Sequence, residues 1–211
     1  MNIDIEKVNF EAANPKQKKV AATLIYDADP HLFAYWFKND YETALKFFEI
    51  EWEQDRSFFS HTLCSVAVIG DKLLGIELGY GLNIHSNLLP DPDTGKTGSM
   101  AINPELLPHT LEVTSYVPYL FPIFPKDAYY IQSLSLLPEA RGQGLGTQLL
   151  KTTFDRAKEK GYNQCQLDVA SDNPAVNFYY DMGMEIISET RVIQLEKNGV
   201  PSHYRMVKLI D

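Results

Sequence analysis

Apolar positions in this chain repeat with two periods, and the order in which they alternate predicts a mixed α/β fold. Ile3, Ile5, Val8 and Phe10 approach the period of two that marks a strand. Asn14-Pro15 then reads as an N-cap followed by proline at the first helical position, with helix to about Tyr26. Asp27-Ala28-Asp29-Pro30 interrupts it, and Asp29 can cap a second helix through Phe37. Asn39-Asp40 precedes a third helical run, Tyr41 to Gln54. Two strands follow, Leu63 to Ile69 and Leu73 to Tyr80, folded into a hairpin around Gly70-Asp71.

Residues 82 to 127 break the rhythm. Asn87 to Thr97 carries Pro90, Pro92 and Gly95, which is loop chemistry, and helical turns are expected from Asn103-Pro104. Connections this long are usually functional, so the segment is expected to be an insertion on the substrate side of one domain spanning 1 to 211. Its Leu106, Leu111, Tyr116, Tyr119, Phe121 and Phe124 argue that it packs. The second half is regular again. Tyr129 to Leu137 predicts a strand, and Gly144 to Lys160 a helix with Leu145, Leu149, Leu150, Phe154 and Ala157 on one side. Gln164 to Ala170 predicts a strand, and Pro174 to Met182 a short helix ending at Gly183. Met184 to Leu195 and Tyr204 to Ile210 complete the set as strands joined through Lys197-Asn198-Gly199. The expected architecture is a mixed, mostly antiparallel sheet of about six or seven strands flanked by helices.

Charge narrows the partners. The formal net charge of −9 argues against nucleic acid, whose phosphates require clustered Lys and Arg. Cys64 and Cys165 fall inside apolar runs and read as buried thiols, with no ligand spacing for a metal. Met1 to Phe10 alternates apolar and charged residues and lacks the core of a signal peptide. No apolar run approaches the ~20 residues of a membrane helix, so no membrane is expected and the default location is the cytoplasm.

The sharpest chemical signal is Arg141-Gly142-Gln143-Gly144-Leu145-Gly146, between a predicted strand and a predicted helix. Glycines let backbone N–H groups converge, and a helix N-terminus adds unpaired donors and partial positive charge. Such a turn cradles phosphate without basic side chains. It is not a P-loop, because the Lys-Ser/Thr pair is missing, and its glycine spacing does not match the dinucleotide fingerprint.

Together with its neighbours, this hexapeptide resembles the GNAT superfamily of N-acetyltransferases. Leu134-Ser135-Leu136-Leu137-Pro138 is similar to the family's apolar strand ending in proline, and the turn matches its Arg/Gln, two residues, Gly, one residue, Gly/Ala pattern. Leu167-Asp168-Val169 with Asn173 looks like the next strand and its exit, and Phe178 to Met184 resembles the family's final motif. The resemblance covers 129 to 184 well and the first half in outline. It implies acetyl-CoA as co-substrate, with no metal, and direct transfer to an amine. Backbone groups from Gly142, Gln143, Gly144, Leu145, Gly146 and Thr147 would bind the pyrophosphate, with Arg141 either assisting or pairing with Glu139. Leu134, Ser135 and Leu136 would hold the pantetheine arm, the Leu136 N–H polarising the thioester carbonyl. Tyr179 would protonate the departing thiolate, and Asn173 (or Asp172) would contact the cofactor. Asp168 is the leading position for a base, Glu77 and Glu112 weaker ones.

The acceptor is expected to meet the 27–37 region and the 82–127 segment. There Asp27, Asp29 and Glu112 can attract a cation, and Tyr35, Trp36 and Tyr116 can cover an apolar part. Capping alone is the competing role for Asp27 and Asp29, and none of His31, His85 and His109 is assigned one. The expected activity is acetylation of a primary amine of a small molecule or peptide. The alternative is a non-catalytic acetyl-CoA sensor with the same fold. The final strands offer an edge for a homodimer, a state the sequence leaves open.

Overall fold

The computed structural model describes residues 3–88 and 103–210. Among the described residues, seven strands form one sheet in the order β1-β2-β3-β4-β5-β7-β6. They are β1 (Asn9–Ala12), β2 (Cys64–Ile69), β3 (Lys72–Gly81), β4 (Ala128–Leu136), β5 (Gln164–Ala170), β6 (Glu185–Thr190) and β7 (His203–Leu209). Neighbours are antiparallel except β4 and β5, which run parallel. The helices are α1 (Lys18–Ala28), α2 (Pro30–Trp36), α3 (Tyr41–Glu53), α4 (Leu82–Leu88), α5 (Leu107–Leu120), α6 (Leu145–Glu159), α7 (Ala175–Asp181) and α8 (Ile193–Glu196). This is the mixed, mostly antiparallel sheet that the sequence led us to expect. Among the described residues, no helix is long and apolar enough to cross a membrane.

Alternation along β4 divides the core. Tyr130 faces α1 and α3, where Leu24, Ile25, Phe48 and Trp52 pack with Ile76 and Leu78. Tyr129, its neighbour, faces the other side, where Leu150, Phe154 and Ala157 of α6 pack with Leu167 and Met206. A separate cluster joins Leu32 of α2 to Val113 and Leu120 of α5 and to Val192, Leu195 and Val200.

Local capping sets the first half. Asn14 accepts from the N–H of Lys16, and the Gln17 side chain accepts from the N–H of Asn14, at the start of the turn that feeds α1. Asp29 accepts from the Leu32 N–H at 3.3 Å and Asp40 from the Thr43 N–H at 3.0 Å.

Two elements differ from the sequence pattern. Ile5–Lys7 is a 3₁₀ turn, and pairing with β2 begins only at Asn9. The strand expected through Leu195 ends at Thr190 and gives way to α8. Val192 and Leu195 must both enter the cluster with Leu32 and Val113, and a spacing of three suits a helical turn rather than a strand. Ile193, between them, is 62% exposed. The loop chemistry read at Pro90, Pro92 and Gly95 lies outside the described residues.

His203 opens β7 and ties it to the α1–α2 corner. Its Nε2 lies 3.0 Å from Asp29 Oδ2 and its Nδ1 3.1 Å from the Pro201 carbonyl. Both neighbours accept, so the ring is held as an imidazolium. Burial works against that charge, and the Asp29 carboxylate outweighs it, raising the His203 pKa above the ordinary value. The group stabilises the fold most fully below the unfolded histidine pKa, and this contribution fades as pH rises through the elevated folded value. The destabilisation caused by His203→Gln should therefore be larger at pH 5.5 than at pH 9, read by thermal unfolding. A difference that does not change with pH would remove the charge from the account.

Candidate functional site

The parallel pair β4–β5 is forked. Its register runs only from Ala128↔Gln164 to Ile131↔Leu167. Beyond that point β4 stays on β3 as far as Leu136↔Gly75, and β5 stays on β7 as far as Ala170↔His203. A bulge accompanies the parting: Ile131 pairs with Gly79 and Ser133 with Leu78, so Gln132 is the extra residue. The Gln132 side chain is anchored away from the strand, accepting from the Tyr80 hydroxyl and donating to the Phe58 carbonyl at 2.8 Å.

Strand alternation decides which backbone groups line the fork. Leu137 donates its N–H to Leu74 on β3 at 2.8 Å. Stepping back by two, Ser135 also faces β3, so the N–H and C=O of Leu134 and Leu136 turn into the fork. Of the three residues 134–136, Ser135 thus offers its buried side chain and not its backbone.

At the open end of β4 the chain makes a 3₁₀ turn, Pro138–Ala140, and then the glycine turn into α6. Gly142 (φ 69°) and Gly144 (φ 83°) both occupy the left-handed region, which is why these two positions need glycine. The first backbone bond of α6 is Gln148 N–H to Gly144 C=O, so the N–H groups of Leu145, Gly146 and Thr147 precede the ladder and remain as donors. A Cβ at Gly146 would meet Leu136 Cδ1 at 3.5 Å and Phe178 Cζ at 3.6 Å, so the helix start sits closely on β4 and α7.

The side chains of this turn have partners of their own. Gln143 Oε1 accepts from the Ile3 N–H, and Gln143 Nε2 donates to the Glu139 carbonyl, each at 2.6 Å. That amide ties the N-terminal segment to the turn, which leaves the Gln143 backbone as its remaining polar group. Glu139 pairs with Lys72 at 3.1 Å, not with Arg141. Arg141 Nε donates to the Leu136 carbonyl at 2.9 Å, and the same guanidinium lies 3.6 Å from Asp27.

Tyr179 lies on α7, buried in the cluster that also holds Leu167 and Val169 of β5 and receives Leu134 of β4. Burial raises its phenol pKa above the ordinary value, so it keeps its proton at neutral pH. Tyr180, one residue on, is 46% exposed and points elsewhere. Asn173 accepts from the Ala175 N–H at 2.9 Å and starts α7. Asp172 lies 3.7 Å from His31.

Asp168 is not presented as a base. Arg205 grips it twice, Nε to Oδ1 and Nη2 to Oδ2, both at 2.7 Å, and the Tyr130 hydroxyl donates to Oδ2 at 2.8 Å. Its side chain is fully buried, and both of its oxygens are already taken up by these donors. The same Arg205 reaches Gln166 at 3.1 Å and the Pro122 carbonyl at 2.5 Å. Glu77 is also fully buried, ion-paired to Arg156 of α6 and hydrogen-bonded by Tyr129 at 3.1 Å. Glu112 is surface-exposed and accepts from Tyr116 at 3.3 Å. His109 bonds the Tyr35 carbonyl at 2.8 Å, fastening α5 to α2, and His85 sits among the Phe58, Tyr80 and Phe124 rings.

Arg205 was not singled out in the sequence. Only the strand order brings it in, since Asp168↔Arg205 is a register pair between β5 and β7.

Comparison with known proteins agrees with this geometry. Residues 110–184, which span β4, the glycine turn, α6, β5 and α7, match the Acetyltransferase (GNAT) family. A thialysine N-epsilon-acetyltransferase of Mus musculus is 36% identical over 62 residues, which is 29% of this chain and 36% of that protein. The matched stretch thus spans about a third of the length of that curated relative. In overall fold the chain is similar to an N-acetyltransferase from Staphylococcus aureus Mu50 (TM-score 0.64, 15% identity, 95% of this chain and 100% of that one). It is also similar to a mosquito arylalkylamine N-acetyltransferase-like protein (TM-score 0.57, 20% identity, 96% and 99% covered). A PaiA N-acetyltransferase from Thermoplasma acidophilum, solved with coenzyme A, aligns over 96% of this chain and 98% of its own (TM-score 0.52, 14% identity). The forked pair and its glycine turn fall within the residues that match the acetyltransferase (GNAT) family, and the whole chain shares its fold with solved N-acetyltransferases.

Proposed function

We propose that this protein moves the acetyl group of acetyl-CoA directly onto a primary amine of a small molecule or peptide. The observation that carries the proposal is the fork: polar backbone of Leu134 and Leu136 faces an opening that ends at a glycine turn rich in free N–H donors. A thin, amide-bearing arm tipped with phosphates fits such a channel as an added strand fits a sheet edge. The two left-handed glycines leave the backbone bare where a Cβ would stand, which suits pyrophosphate. The thioester of acetyl-CoA supplies an acetyl group already activated for attack.

The roles of the chain's own groups follow from where they face. N–H groups from Gly142 to Thr147 hold the phosphates, and Arg141 stands beside them. The Leu136 N–H, turned into the fork, meets the negative charge that grows on the thioester oxygen. Tyr179, kept protonated by burial, gives its proton to the departing sulfur, while the attacking amine sheds its proton to water, which reprotonates the phenolate. Asn173 lies at the far lip of the fork, with its amide N–H₂ available to the arm. We read residues 1–211 as one such domain, with α5 and its flanks set beside α2 on the acceptor side, where His109 meets Tyr35. The names of the mouse and mosquito proteins suggest thialysine and phenethylamine as the first acceptors to try, and lysine amide and spermidine widen the set to other primary alkylamines.

Two measurements test the proposal. Acetyl-CoA should raise the unfolding temperature, because a ligand bound only by the folded state stabilises it. Free thiol should then appear with at least one amine. Binding without thiol release from any amine would favour a non-catalytic sensor, and no thermal shift would exclude both. The glycine turn is tested by Gly144→Val. A β-branched residue at φ 83° meets about 1–3 kcal/mol of backbone strain. Acetyl-CoA affinity should fall at least tenfold in calorimetry, and retained affinity would remove the turn from the phosphate site.

A further inference from the structure

Three polar contacts link the α1–α2 corner to the open end of the fork. Asp27 reaches Arg141 in the turn after β4 (3.6 Å), Asp29 reaches His203 at the start of β7 (3.0 Å), and His31 reaches Asp172 in the turn after β5 (3.7 Å). One of the carboxylates has evident structural work, and a second is largely exposed. Asp29 caps α2 and holds a buried imidazolium, and Asp172 lies on the surface. Asp27 has none of that kind. It sits in the last turn of α1, where a negative charge opposes the helix dipole. Its side chain is two-thirds covered, and burial raises its pKa while Arg141 pulls it back. A local rule broken in this way, beside a binding cleft, marks function more often than folding.

Its partner is equally placed. Arg141 is the residue before Gly142 and bridges two groups at once, the Leu136 carbonyl that faces the fork and the Asp27 carboxylate. One guanidinium thus separates Asp27 from the backbone expected to hold the thioester. Pyrophosphate in the adjacent turn would compete for that guanidinium with more charge and better bidentate geometry than one carboxylate.

Building on the acetyltransferase reading above, we propose that Asp27 anchors the ammonium of the acceptor, and that Arg141 masks it until the cofactor's phosphates draw the guanidinium away. The site then prefers primary alkylamines, which arrive charged at neutral pH and release the ammonium proton of the reacting nitrogen to water before attack, over neutral aryl amines and alcohols. Cofactor and acceptor reinforce each other, and the factor is the same in both directions.

Calorimetry with the same four amines tests this, using CoA as a non-reacting stand-in for acetyl-CoA. In the wild type, CoA should tighten the binding of the preferred amine at least fivefold. Arg141→Met should raise amine affinity in the cofactor-free protein to the CoA-loaded level and abolish the coupling. Asp27→Asn should weaken amine binding to the CoA-loaded protein at least tenfold with CoA affinity unchanged, and Asp27→Glu should restore part of it. Coupling that persists in Arg141→Met, or unchanged acceptor affinity and KM in Asp27→Asn while the wild type transfers acetyl, would overturn this proposal alone. A wild type that transfers acetyl to no amine would overturn the transferase reading and this one with it.

Discussion

Arg205→Met should destabilise the protein by about 3–5 kcal/mol, a large part of the 5–15 kcal/mol that holds a typical domain together. The guanidinium is 4% exposed and serves four acceptors: both oxygens of Asp168, Gln166 and the Pro122 carbonyl. Deleting it strands a fully buried carboxylate with one hydroxyl donor, Tyr130. Such a charge costs far more than the lost attraction, because water cannot return to solvate it. Urea unfolding of the variant measures the effect. The double variant Arg205→Met/Asp168→Leu should regain most of the loss, since removing both charges leaves no orphan. A single variant within about 1 kcal/mol of the wild type would mean that the pair is not holding the fork. Asp168→Asn should likewise lower stability before it alters chemistry, which is how an anchoring carboxylate differs from a base.

How much of this was legible in the sequence depends on the distance over which each feature is encoded. The glycine turn, α6 and the caps at Asn14 and Asp29 are local, each set by residues within one helical turn, and the structure has them where the sequence pattern predicts. The mixed sheet followed from the order of those elements. The environments of the site residues did not, because they are made by partners far along the chain. Gln143 is held by Ile3, 140 residues away, and Asp168 by Arg205, 37 residues away. The second depends on β7 inserting between β5 and β6, a pairing of strands that are not consecutive, so no periodicity announces it. The 184–195 stretch failed for a related reason. Apolar residues at 192, 193 and 195 fit either period, and only the cluster against α2 and α5 decides between them. Asp27 and Asp29 look alike in the sequence, and only their distant partners, Arg141 and His203, tell them apart.

Tyr179→Phe should lower kcat by roughly 10²–10⁴-fold, the range for a positioned general acid, or about 3–5 kcal/mol of barrier. Phenylalanine keeps the ring against Phe178 and the packing with Leu167 and Val169, so stability and acetyl-CoA affinity should hardly move. Only the hydroxyl proton is lost. Because burial raises the Tyr179 pKa from 10.0, that proton is retained through neutral and mildly alkaline pH. Wild-type kcat should therefore show no loss from this group between pH 7 and 9, with its alkaline limb above the ordinary tyrosine range. Tyr180→Phe is the internal control. That side chain is 46% exposed on another side of α7, and its removal should leave kcat within about twofold. Amines whose products form with slow chemistry make the sharpest test, since product release would otherwise hide a slower proton transfer. Equal turnover in Tyr179→Phe and wild type, measured in single-turnover reactions, would reduce Tyr179 to a packed aromatic and leave the sulfur to take its proton from water. A selective loss in the Tyr179 variant alone would tie proton delivery to the one tyrosine that α7 turns into the cluster beside the fork.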